Sequence, residues 1–101
     1  MVKLMALYRH PEDKEAFDKH YEDIHTPLTK KIPGLKQMKV SHIVGSPQGD
    51  SDYYLMAEMY YEDHAAMKKA MKTEEAKASA KDLQSFAGDL VTMMIGEEDE
   101  S

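Results

Sequence analysis

Residues 17–35 read Phe-Asp-Lys-His-Tyr-Glu-Asp-Ile-His-Thr-Pro-Leu-Thr-Lys-Lys-Ile-Pro-Gly-Leu, and the reading of this stretch governs the rest. Phe17, Tyr21, Ile24 and Leu28 recur at spacings of four and three, which puts them on one face of a helix. Lys14, Glu15, Asp18, Lys19 and Glu22 fall on the other face, and Asp13 is placed to cap the start. Pro27 has no amide hydrogen, and its ring collides with the carbonyl four residues back, so it does not belong deep in a straight helix. Thr26 and Pro27 are therefore expected as N-cap and first residue of a short second helical piece that ends at Pro33-Gly34.

Outward from this stretch the period shortens. Val2 to Tyr8 is apolar and bounded by Arg9-His10-Pro11, which suits a first strand. Leu35 to Val44 alternates and carries β-branched residues, and Tyr53 to Tyr61 is rich in aromatics; the turn residues 46–52 between them make the pair a hairpin. Asp63 caps a helix bearing Ala66, Met67, Ala70 and Met71. Thr73 opens another with Ala76, Ala80, Leu83 and Ala87 on one side, closed by Gly88. Asp89 to Ile95 reads as the last strand. The order strand, helix, strand, strand, helix in two pieces, strand predicts an α+β, ferredoxin-like fold: a four-stranded antiparallel sheet with its helices on one face. One domain over residues 1–96 is expected, followed by an acidic, untethered tail at 97–101.

The second face of that sheet is informative. Val2, Leu4, Ala6 and Tyr8 alternate with Lys3, Met5, Leu7 and Arg9, while Leu55, Ala57 and Met59 alternate with Tyr54, Met56 and Tyr60. Large apolar groups thus point both ways, and the helices can cover one side only. An uncovered apolar sheet is larger than soluble monomers tolerate, so a homodimer is expected, with the two sheets face to face as an α+β barrel.

Composition narrows the function. The chain has 101 residues, no cysteine and a formal net charge of -6. Its length suits a single domain with a thin core. Without cysteine there is no disulfide scaffold, thiolate metal site or cysteine nucleophile. The acidic balance opposes nucleic-acid binding, which needs clustered Lys and Arg. Uncharged stretches reach about ten residues against the roughly 20 of a membrane span. The opening Met1 to Arg9 lacks the apolar core and cleavage site of a signal peptide, so a cytoplasmic location is expected. Gly34, Gly45, Gly49, Gly88 and Gly96 form no phosphate-binding pattern, which speaks against a nucleotide cofactor.

Among residues able to do chemistry, His25 stands out. It is expected at the end of the first helical piece, where unpaired carbonyls and the helix dipole favour its protonated form and bring its titration near neutrality. The plainer alternative is a histidine that bonds those carbonyls. His20 lies five residues before it, about 140° away around an α-helix, a poor geometry for a shared metal, and no metal site is expected. Glu58, with Met56 and Tyr60 beside it and Tyr54 beyond, is either a carboxylate of raised pKa or half of a cross-strand ion pair with Lys39. The pair follows if Leu55, Ala57 and Met59 oppose Met38, Val40 and His42, the register that the apolar pattern favours. Six tyrosines and nine methionines suit the walls of a pocket for a flat, apolar molecule, and equally an ordinary core. Tyr8, Tyr21, Tyr54, Glu58 and Tyr60 are the candidate ligand-binding residues.

Phe17, Tyr21 and His25-Thr26-Pro27-Leu28, followed by Ile32-Pro33-Gly34-Leu35, resemble the signature of the EthD-like family of dimeric α+β barrel proteins, and the likeness extends over nearly the whole chain. In that family an aromatic helix leads into His-x-Pro-Leu and then Pro-Gly-Leu; Tyr21 stands where many members have Trp. The resemblance implies the barrel and carries over one functional position, His25, with Tyr21 beside it. The family's name comes from ethyl tert-butyl ether degradation, and similar barrels include cofactor-free monooxygenases, polyketide cyclases, muconolactone-type isomerases and haem-binding enzymes. Fold alone does not choose among these.

Two readings follow. In the first, the dimer encloses a small apolar or aromatic metabolite and works without a cofactor as an oxidoreductase, isomerase or cyclase, with His25 in proton transfer. In the second it is a non-catalytic small-ligand-binding or accessory protein of a degradation pathway, favoured by the lack of a nucleophile with a base beside it. Haem binding through one of the five histidines is a third.

Overall fold

A computed structural model describes residues 1–99. The elements are β1 (Val2–Arg9), α1 (Lys14–His20), a π turn (Tyr21–His25), α2 (Thr26–Lys30), β2 (Gln37–His42), β3 (Tyr53–Tyr61), α3 (His64–Met71), α4 (Glu74–Ala87) and β4 (Val91–Glu97). The four strands are antiparallel in the order β2-β3-β1-β4, with the helices packed on one face, the ferredoxin-like arrangement. No described helix is long and apolar enough to cross a membrane.

Caps form as the side chains dictate. Asp13, Asp63 and Thr73 accept from the amides of Ala16, Ala66 and Ala76. Gly34 turns the chain toward β2 at φ 90°, where a side chain would be strained. Gly88 closes α4 as expected, with right-handed helical angles, and a Cβ there would press on the Gln84 carbonyl oxygen at 3.0 Å.

The helical region differs from expectation in a way that decides the site. Helix 14–30 is continuous: Thr26 has φ -60° and ψ -47°, so it is not an N-cap, and its amide bonds back five residues to the Tyr21 carbonyl. This π turn accommodates Pro27 without a break, because the bonding pattern is already shifted where the proline amide is missing. It also carries more residues per turn, so positions four apart stay aligned. Phe17, Tyr21, His25 and Thr29 are therefore buried together, while Ile24, expected in the core, is 46% exposed.

The core lies between sheet and helices, with Ala6, Tyr8, Leu55, Ala57 and Tyr61 from the strands and Phe17, Tyr21, Met67, Ala70, Leu83 and Ala87 from the helices. Burying each large apolar side chain contributes roughly 1.5–3 kcal/mol. The β2–β3 register is the expected one: Met38, Val40 and His42 oppose Met59, Ala57 and Leu55. Residue 54 departs from alternation. A bulge against Tyr8 and Arg9 turns Tyr54 out of the row of Met56, Glu58 and Tyr60 and brings its ring to 5.8 Å from Phe17. β4 starts at Val91 and reaches Glu97, one residue into the expected tail, and the Glu98 amide bonds Met1 O. Residues 100–101 of that tail lie outside the described residues.

The far face of the sheet carries no helix. Met5, Leu7 and Met56 sit there half-buried, and Met94 is 41% exposed.

Candidate functional site

A cavity of about 260 Å³ opens between the sheet and the helical layer. β1 and β3 supply its floor through Leu4, Ala6, Tyr8, Met59 and Tyr61; Tyr21, His25, Thr29 and Ile32 form one wall, and Ala76, Ser79 and Leu83 of α4 the other. Met71 and Met93 stand at its edge, 38% and 44% exposed. The space suits a molecule of about one or two rings, and its walls are apolar except along one strip.

That strip is centred on His25, which is 5% exposed. Its Nδ1 lies 3.1 Å from Asp82 Oδ2, across the helical layer on α4. The other carboxylate oxygen, Oδ1, is 2.8 Å from His20 Nε2. His25 is therefore neither at a helix end nor bonded to helix-end carbonyls through its ring. Burial pushes its imidazole below the ordinary histidine value, with the Asp82 carboxylate pulling the other way. The neutral ring then has one N–H, and an ionised carboxylate can only accept, so Nδ1 carries the hydrogen and Nε2 keeps a lone pair.

Nε2 has little else to do. Its neighbour is Thr29 Oγ1 at 3.5 Å, the outer limit of a hydrogen bond, and Thr29 donates to the His25 carbonyl at 3.0 Å. The Ser79 hydroxyl, 2.8 Å away, then donates to Thr29. The wall thus presents an imidazole lone pair beside two hydroxyls whose hydrogens are already donated elsewhere. Such a group takes a proton from, or orients, an oxygen on a bound molecule.

The tyrosines around the cavity are plain phenols at neutral pH. Burial raises Tyr8 and Tyr61 and pushes Tyr21 up to about 12. Tyr8 and Tyr21 pack edge to face at 5.6 Å. The Tyr21 and Tyr61 hydroxyls are buried with no hydrogen-bond partner among the described residues.

The structure thus brings Tyr8, Tyr21 and His25 to one cavity, and places Tyr54, Glu58 and Tyr60 elsewhere. Tyr54 bonds both oxygens of Asp18, at 2.8 and 2.7 Å. Glu58 and Tyr60 lie on the helix-free face. Glu58 is opposite Lys39, as the register predicts, yet its ion pair is with Lys3 at 2.8 Å, while Lys39 sits 5.2 Å above the Tyr60 ring. The hydrogen bond from Lys3 holds the Glu58 carboxyl below the usual range rather than above it. No group of three or more metal-binding side chains is arranged for a metal among the described residues.

Asp82, Thr29 and Ser79 are the site residues that sequence reasoning missed. Thr29 follows His25 by four, and Ser79 interrupts an apolar row on α4, both weak signals. Asp82 left none: it sits between Lys81 and Leu83 on a helix with many charges. His20 and His25 were expected to diverge; the π turn instead brings them to one carboxylate.

A family model, the EthD domain, matches residues 9–89. The chain is 33% identical over 102 residues to an uncharacterized 11.0 kDa protein in the thcB-thcC intergenic region of Rhodococcus erythropolis, covering 98% of this chain and 96% of that one. A crystal structure of an ethyl tert-butyl ether degradation (EthD) family protein from Bacillus halodurans C-125 is 64% identical, with a TM-score of 0.96 over 98% of this chain and 99% of that one. A dimeric ferredoxin-like protein of unknown function from Jannaschia sp. CCS1 shares the fold at 15% identity, with a TM-score of 0.71 over 97% and 100% of the two chains.

Proposed function

This chain belongs to the EthD domain family, and from that premise we propose that it binds a small, neutral, apolar or aromatic metabolite in the cavity beside His25 and moves a proton on it without a cofactor. The observation that carries the reading is the His25–Asp82 pair: a buried imidazole whose Nδ1 is spent on a carboxylate and whose Nε2 is left for the cavity. Asp82 orients the ring and steadies the imidazolium that forms when Nε2 accepts a proton. The apolar walls exclude water and favour an uncharged ligand body, and an acidic O–H of that ligand donates to Nε2. Tyr8 and Tyr21 shape the wall. An isomerisation or cyclisation begins with this kind of proton abstraction, as does a cofactor-independent oxidation in which dioxygen is the oxidant.

The helix-free face supports the dimer. Met5, Leu7, Met56 and Met94 form an apolar band around the Lys3–Glu58 pair, and a second copy covers it by the same surface through a two-fold axis. We place the active form as this homodimer.

The test begins with a panel of phenols, aromatic acids and lactones screened by melting temperature, since a molecule bound to the native state raises it by mass action. The expected hit is consumed by the wild type, and His25→Gln still binds it but turns it over far more slowly. Stabilisation with no chemical change would instead make the protein a binding module. That second reading has one observation in its favour: neither hydroxyl near His25 is free to act as a nucleophile.

A further inference from the structure

We propose that His20 is a positioning residue for His25: it donates to one oxygen of Asp82 and so presents the other to His25 Nδ1, which keeps Nε2 free for the cavity. This rests on the proton-transfer reading of His25 and adds a residue outside the cavity to it.

The argument starts from one carboxylate and two imidazoles. Asp82 Oδ1 lies 2.8 Å from His20 Nε2 and Oδ2 lies 3.1 Å from His25 Nδ1. The carboxylate is mostly buried, 12% exposed, so its oxygens have little water to bond and depend on these donors. A single donor would leave the group free to turn about its Cβ–Cγ bond. Two donors from one helical face, at opposite oxygens, fix that rotation. The Phe86 ring lies 4.2 Å from His20 and 5.4 Å from His25, walling the cluster on one side.

The two histidines differ in access. His25 lines the cavity, whereas His20 is 28% exposed and borders a surface cleft with Glu12, Asp13 and Asp89. On the His25 side, the remaining titratable neighbours are the Tyr21 ring, 5.2 Å away, and Tyr8, which feels the Asp82 charge. Positive charge on His20 lowers the affinity of His25 for a proton, because both rings draw on the one Asp82 carboxylate. A carboxylate between two bases fully compensates one positive charge, not two. The surface histidine thereby sets both the tautomer and the basicity of the buried one. This is charge sharing and orientation; with both imidazoles donating to it, the carboxylate does not pass a proton between them.

Long-range 1H–15N spectra of the full chain labelled at histidine report both properties without any substrate. In the wild type at slightly alkaline pH, His20 is expected as the Nε2–H tautomer and His25 as the Nδ1–H tautomer. His20→Phe keeps the stack on Phe86 but removes the donor. It is expected to mix the His25 tautomers and to raise the His25 midpoint by about one pH unit, because the freed charge acts on His25 alone. His20→Gln keeps a donor that does not titrate, and is expected to retain the Nδ1–H tautomer of His25.

A His20 ring found as the Nδ1–H tautomer overturns the proposal, as does a His20→Phe protein whose His25 signals and midpoint match the wild type. If His20→Phe does not fold, a mixed His25 tautomer in His20→Gln overturns it instead. Turnover that depends on His25 alongside an unmoved tautomer refutes the role of His20 and leaves the proton-transfer reading intact. A moved tautomer with turnover indifferent to His25 does the reverse.

Discussion

Asp82 and Glu58 lie on opposite layers of the molecule with nearly equal side-chain exposure, 12% and 14%, yet they do different things. Glu58 faces Lys3 across the sheet and is bonded to an ammonium that stays charged over the whole working range of pH. The pair has no proton to trade. Asp82 faces two imidazoles between helices, and one of them lines a cavity. One of them, His25, is held below the ordinary histidine value by burial. What separates a site from a staple here is less the burial of the carboxylate than the titration range of its partner.

The sharpest way to break this contrast is by turnover of whichever ligand the cavity takes. His25→Ala is expected to lower it by about 10²–10⁴-fold, the usual contribution of a positioned acid or base. Asp82→Asn is expected to follow it in part, and Glu58→Gln to leave it unchanged. An equal loss in Glu58→Gln would erase the distinction between the two layers.

Packing tests the same two layers. Leu55 is 1% exposed on the helix-facing side, and Leu55→Ala is expected to cost about 2–5 kcal/mol in denaturant unfolding. Leu7→Ala, on the other face, is expected to cost less, and under the proposed homodimer the melting temperature of wild type and variant alike is expected to rise with protein concentration. A concentration-independent Tm, with a monomeric mass in sedimentation, would remove the dimer and leave that face bare.

Smaller effects come from the carboxylates themselves. Asp82→Ala strands two imidazole donors and is expected to destabilise by about 1–3 kcal/mol. Glu58→Ala leaves Lys3 at the surface of the sheet and is expected to cost about 1 kcal/mol or less.

Smallest, and most diagnostic, is the pH dependence. The folded His25 resists protonation, so the unfolded chain binds more protons and stability falls as pH drops below about 6.5. Glu58 is held below its ordinary value, so its contribution is present above about 4.5 and is lost as pH falls through the lower folded value. Melting curves from pH 7 to pH 3 are expected to show two steps, the first absent in His25→Gln and the second in Glu58→Gln. A first step that persists in His25→Gln would assign it to another group.

Legibility followed the range of the interactions. The caps Asp13, Asp63 and Thr73, the hairpin register and the order of elements along the chain depend on neighbours within a few residues or on the alternation of side chains, and all were readable. Tyr54 was misplaced because a bulge leaves no mark in an aromatic-rich strand. Ile24 was misplaced because the α-helical period was carried through residues 21–25, where the chain adopts a π turn.

The sequence by itself determined the element order, the two-faced sheet and His25 as the residue to watch, because apolar period and local chemistry are written along the chain. Only the tertiary structure decided what His25 touches. Asp82 is 57 residues away on another helix, and a contact across that distance depends on how two helices pack over one sheet, which no local pattern records.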